Sequence, residues 1–139
     1  DLAYSSSRAK YATPGVNIGL FCSTPMVPLS RTVGKKQAME MLLTGDLIDA
    51  NKALRIGLIN DVFEEDSLKE NVFQIAKKIS SKSSNTIKIG KEAFYKQKDM
   101  NLEDAYTFTS KVMTENMLHD DSKEGIDAFL EKREPNWKK

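Results

Sequence analysis

Tyr11-Ala-Thr-Pro14-Gly15-Val-Asn-Ile-Gly19-Leu-Phe21-Cys22-Ser23-Thr-Pro25 opens the stretch that decides the fold, and Met39-Glu-Met-Leu-Leu-Thr-Gly45 closes it. Pro14 fixes φ and Gly15 supplies any positive φ at no steric cost, so Thr13 to Gly15 reads as a turn. The apolar, partly β-branched run over residues 16–20 is then expected as a short buried strand. Ser23, Thr24 and Pro25 look like a helix start, with a hydroxyl cap and a proline in the first turn. A short helix over 25–32 would stop at Gly34. A stronger one follows over 35–44, where Ala38, Met41 and Leu42 fall at i, i+3, i+4 and Gly45 supplies the stop.

Working outward, residues 1–4 read as a strand end, Ser5, Ser6 and Ser7 as a polar loop, and residues 10–12 as extended. Asp49 caps a helix over 50–56 stopped by Gly57, and residues 58–63 read as a short strand. The clearest helix covers 66–79, with Leu68, Val72, Ile75, Ala76 and Ile79 on one stripe and Lys77 and Lys78 at its cationic end. Further helices are expected over 86–98, with Gly90 as a weak point, and over 101–118. Asp121 or Ser122 would cap a last helix with Ile126, Phe129 and Leu130 inward, closed by Pro135. The chain is mixed at its front and helical from residue 66 onward. Two or three strands cannot make a sheet covered on both faces. The missing strands are expected from sequence in front of Asp1 or from a partner chain.

The 139 residues suit one domain, and a net charge of +1 gives no field to recruit nucleic acid or an anionic membrane. No apolar run approaches the ~20 residues of a membrane span. Cys22 is the single cysteine, which excludes a disulfide within the chain and fits a reducing compartment, cytoplasmic or mitochondrial matrix. With one histidine and one cysteine, a zinc site is not expected. His119 reads as a surface residue at a helix end, Glu64-Glu65-Asp66 as a strand-to-helix junction, and Cys22 as a small buried apolar residue. The end, Glu131 to Lys139 with Trp137, reads either as a solvated terminus or as a basic and aromatic contact to a phosphorylated ligand or neighbouring subunit.

Four ordered motifs carry a resemblance. Residues 11–20 are similar to a "Phe-x-x-Pro-Glu-x-x-x-Gly" turn, and Arg31 to Gly45 to the segment that follows it. Ala50-x-x-Ala53-x-x-Ile-Gly57-Leu58 through Val62 is similar to "Ala-x-x-Ala-x-x-x-Gly-Leu-Val-x-x-Val". Glu124-Gly-Ile-Asp-Ala-Phe129-Leu-Glu-Lys132-Arg133-Glu-Pro135 is similar to "Glu-Gly-x-x-Ala-Phe-x-Glu-Lys-Arg-x-Pro". Together they resemble the enoyl-CoA hydratase/isomerase family.

The resemblance implies an α/β, ClpP/crotonase-type fold. This chain would be its C-terminal part: the end of the ββα spiral with the active-site turn over 1–65, then a helical trimerisation region over 66–139. The family's oxyanion-hole loops would lie in front of Asp1. The ligand implied is an acyl-CoA thioester, with no permanently bound cofactor and no metal. An active member would be a lyase or isomerase. Pro14, Gly15, Phe21, Cys22, Ser23 and Met113 would line the substrate pocket, and Lys132 would contact the CoA nucleotide. Gly15 stands where the family's second catalytic glutamate is expected, so no catalytic residue is intact in this chain. The implied assembly is a homotrimer or hexamer, with residues 101–118 in the interface. The alternative is a non-catalytic acyl-CoA-binding or assembly protein on the same fold.

Overall fold

A computed structural model describes residues 1–137. Lys138 and Lys139, part of the basic end, lie outside the described residues. The chain packs as two compact units, Asp1–Ile75 and the residues from Ala76 onward. The division between these units falls inside the helix over Glu65–Ser80.

The first unit contains β1 (Tyr4–Ser6), β2 (Lys10–Tyr11), a 3₁₀ turn (Pro14–Ile18), α1 (Met26–Thr32), α2 (Lys35–Thr44), β3 (Ile48–Asp49), α3 (Ala50–Arg55), β4 (Asp61–Phe63) and the start of α4 (Glu65–Ser80). β1 pairs in parallel with β4, setting Tyr4 opposite Asp61 and Ser6 opposite Phe63. β2 pairs antiparallel with β3, Tyr11 opposite Ile48. Of the serines expected in a loop, Ser5 and Ser6 therefore form the end of a strand, and Ser7 lies in the turn that follows it. They can do so because the hydroxyls find side-chain partners outside the strand. Tyr11 Oη donates to Ser5 Oγ at 2.6 Å, Ser7 Oγ donates to Glu64 Oε2 at 2.9 Å, and Ser6 Oγ donates to Glu65. The Ser6 hydroxyl, and then the Arg8 guanidinium, hold the Glu65 carboxyl below its usual value.

The core of this unit is Leu29, Val33, Ala38, Met41, Leu42, Ile48, Ala53 and Ile59. α2 presents the expected Ala38, Met41 and Leu42 to it and ends at Gly45, whose φ is +65°. Asp49 caps α3 as expected, its carboxylate accepting from Lys52 N at 2.7 Å. The expected strand over 16–20 is absent. Those residues form the 3₁₀ turn and its exit, and Ile18 and Leu20 are exposed.

In the second unit, α5 (Ser84–Gln97), α6 (Leu102–Met117) and α7 (Asp120–Leu130) pack on one another. Ser83 caps α5 by accepting from Thr86 N at 3.0 Å, and donates its hydroxyl to the buried carboxylate of Asp121. His119, not Asp121, caps α7, with Nδ1 accepting from Asp121 N at 3.2 Å. Ile126, Phe129 and Leu130 are exposed instead of inward, Phe129 at 82%. The packed face of α7 is instead the i, i+4, i+7 series of Asp121, Gly125 and Ala128. Asp121 and Ala128 are buried, and Gly125 lies against the Trp137 ring. Among the described residues no helix is long and apolar enough to cross a membrane.

Residues 133–137 fold back over α7. Arg133 Nη1 and Nη2 donate to the Glu124 carboxylate at 2.6 and 3.1 Å, Asn136 N donates to it at 2.7 Å, and Trp137 Nε1 donates to Ser81 O at 2.8 Å. The bonds from Arg133, then the one from Asn136, lower the Glu124 carboxyl to about 2. A depressed carboxyl contributes stability above its unfolded value and loses it as pH falls toward the folded one. Trp137 is the sole tryptophan, so its emission reports this clamp. Emission is expected to hold from pH 7 to about 4.5 and to shift red as pH falls from there toward 2. Glu124→Gln should show the shifted emission already at pH 7; unchanged emission would mean that the carboxylate does not hold the end in place.

Candidate functional site

Pro14 begins the 3₁₀ turn, and Gly19 ends it at φ +78°. The positive φ expected of Gly15 belongs to Gly19 instead. Leu20 N donates to Gly15 O at 2.9 Å and closes the turn, and Gly15 N donates to Cys22 Sγ at 3.3 Å. Asn17 Nδ2 reaches Gly45 O at 3.5 Å, tying the turn to the end of α2. A side chain at 45 would meet Val16 and Asn17 at 3.0 Å, so this approach requires glycine. Ser23 N and Oγ both donate to Phe21 O, at 2.7 and 3.3 Å.

One turn thus brings together Pro14, Gly15, Phe21, Cys22 and Ser23. Phe21 and Ser23 are exposed, and Cys22 is half-buried against the core. A cavity of about 690 Å³ lies beside it, lined by Lys10, Tyr11, Thr13, Pro25, Pro28 and Leu29 among others. Thr13 Oγ1 is buried with no hydrogen-bond partner. Between Asp1 and Glu40 the sequence contains no acidic residue, but it contains Arg8, Lys10, Arg31, Lys35 and Lys36. The turn residues themselves offer apolar contact and no carboxylate to move a proton, while the cavity beside them is lined by both Asp1 and Lys10.

Met113 and Lys132 lie in the other unit. Met113, exposed on α6, lines a groove of about 590 Å³ with Ile89, Gly90 and Thr109. Lys132 follows α7 at φ +56°, the single non-glycine residue with positive φ among the described residues. Arg133 N donates to Ala128 O and Lys132 N to Phe129 O, so Lys132 holds the left-handed position that ends the helix, normally taken by glycine. The Glu124 clamp beside it was not anticipated from the sequence. Its signal was a glutamate nine residues before an arginine across a helix end.

The model of the enoyl-CoA hydratase/isomerase family matches residues 1–139. The chain belongs to that family. It is 50% identical over 137 residues to the mouse protein named enoyl-CoA hydratase domain-containing protein 3, mitochondrial, covering 99% of this chain and 46% of that one. The crystal structure of human enoyl-CoA hydratase domain-containing protein 3 superposes with a TM-score of 0.94 at 49% identity, covering 99% of this chain and 54% of that one. A Mycobacterium smegmatis enoyl-CoA hydratase superposes with a TM-score of 0.95 at 42% identity, covering 99% and 53%. The fold is crotonase-type, its C-terminal portion, and the chain spans about half the length of the curated relatives it matches.

Proposed function

We propose that this chain contributes to binding an acyl-CoA thioester within a family member whose ordinary two-glutamate hydration is absent or strongly reduced. One observation carries this reading: the turn that would present the second glutamate presents Gly15, and no acidic residue stands between Asp1 and Glu40 to replace it. Backbone donors elsewhere in the family's fold would stabilise the enolate oxygen. Phe21, with Pro14, Cys22 and Ser23, would face the acyl portion. Lys132 would contact the polyanionic CoA nucleotide. The names of the relatives favour the mitochondrial matrix, and the exposed apolar side chains of α6, among them Leu102, Tyr106 and Met113, favour a homotrimer or hexamer built through it. No permanently bound cofactor is part of the proposal. Gly15 favours a second reading, a non-catalytic acyl-CoA-binding or assembly protein on the same fold. Calorimetry with acetyl-CoA and longer acyl-CoAs on the full-length protein tests binding, and a mass-spectrometric product screen separates enzyme from pseudoenzyme. Absence of binding to any of them would sink both readings.

Lys132 supplies a sharper test. A left-handed conformation costs a side-chain-bearing residue about 1–2 kcal/mol, part of which glycine returns through its greater freedom when unfolded. Lys132→Gly should therefore leave stability unchanged or raise it by up to about 1 kcal/mol. Loss of a charged phosphate contact should weaken acyl-CoA binding roughly 10-fold. Unchanged affinity would remove Lys132 from the ligand site.

A further inference from the structure

The place of the absent glutamate is closed. A Cβ built on Gly15 would lie 2.6 Å from the Leu20 carbonyl oxygen and 2.8 Å from Cys22 Sγ, both inside contact distance. Gly15 is not among the glycines with positive φ, so its backbone admits any residue and the obstacle is space. The sulfur is held on two sides. It accepts the Gly15 N–H at 3.3 Å, and Cys22 packs against the core that includes Leu29 and Met41. Elsewhere in the turn, Asn17 and Val16 rest on Gly45. The turn has little slack with which to accept a side chain at 15.

We propose that Cys22 is a positioning residue that locks the turn over residue 15, making Gly15 and Cys22 one coupled pair. A carboxylate is admitted at 15 only when the thiol is removed as well. Removing the sulfur empties one contact and frees the Gly15 N–H, so that residue 15 can move off the Leu20 carbonyl. The catalytic meaning of the pair rests on the functional reading above, whereas its packing meaning does not.

A thermal double-mutant cycle on the full-length protein tests the packing. Gly15→Ala should lower Tm by roughly 4 °C, the cost of overfilling a packed site. In a Cys22→Ala background the same substitution should cost about half that or less. Cys22→Ser, which keeps an acceptor for the Gly15 N–H, should melt closer to wild type than Cys22→Ala. Equal costs of Gly15→Ala in the two backgrounds, or no cost in either, would overturn the pairing. Crotonyl-CoA hydration gives the second readout. Gly15→Glu combined with Cys22→Ala should hydrate at least about 10-fold faster than Gly15→Glu alone. Measurable but equal rates would overturn the lock. No hydration by either variant, with the thermal coupling intact, would support the pair and refute the catalytic reading of position 15.

Discussion

Hydration of crotonyl-CoA by the full-length protein is expected at least about 100-fold below that of a two-glutamate hydratase assayed in parallel, because a positioned acid or base contributes roughly 10²–10⁴-fold. The loss should appear in kcat rather than KM, since a carboxylate that moves a proton in the transition state adds little to ground-state binding. The turn holds no substitute. Ser23 Oγ is engaged with the Phe21 carbonyl, Thr13 Oγ1 is buried, and neither hydroxyl titrates near neutral pH. The conjugated enoyl thioester absorbs in the ultraviolet, so its disappearance measures the rate directly. A rate within tenfold of the reference enzyme would show that a group outside residues 1–40 does the work of the missing glutamate.

Ser83→Ala is expected to cost about 3 kcal/mol, measured as a fall in the urea midpoint. The side chain performs two tasks. It accepts from Thr86 N to cap α5, and it donates to Asp121 on the first turn of α7. Ser83 and Asp121 are 3% and 5% exposed, so water cannot take over the carboxylate when the hydroxyl is removed. Ser83→Thr, which keeps the hydroxyl, should recover most of the loss. An alanine cost below about 1 kcal/mol, the worth of a cap alone, would show that Asp121 does not depend on Ser83.

The sequence revealed the elements whose causes are local. α1 to α6 begin and end within a residue or two of expectation, because caps, glycine stops and a 3.6-residue period act over a single turn of chain. The errors came where the cause was distant. Ser5 and Ser6 look like loop until Phe63 and Glu65 are brought to them, and no pattern within ten residues announces that pairing. The run over 16–20 looked buried because it is apolar, yet Ile18 and Leu20 face outward. α7 misled for a related reason: its packing face holds an aspartate, a glycine and an alanine, while its largest apolar side chains stay uncovered within the chain. At the site, the motif marked Gly15 by its position. That Cys22 fills the space beside it is a fact of three dimensions, seven residues away along the chain.

The parallel pairing of β1 with β4 also sets a clock. Along one edge of its strand, Tyr4 must wait for Asp61 before its backbone is paired. At 5–20 residues per second, synthesis of the intervening chain takes roughly 3–11 s. During that interval the edge of the serine strand that β4 will occupy stays unpaired. Its polar side chains are suited to the delay, since they keep a lone edge hydrated while an apolar strand in the same place would invite association with whatever chain arrived first.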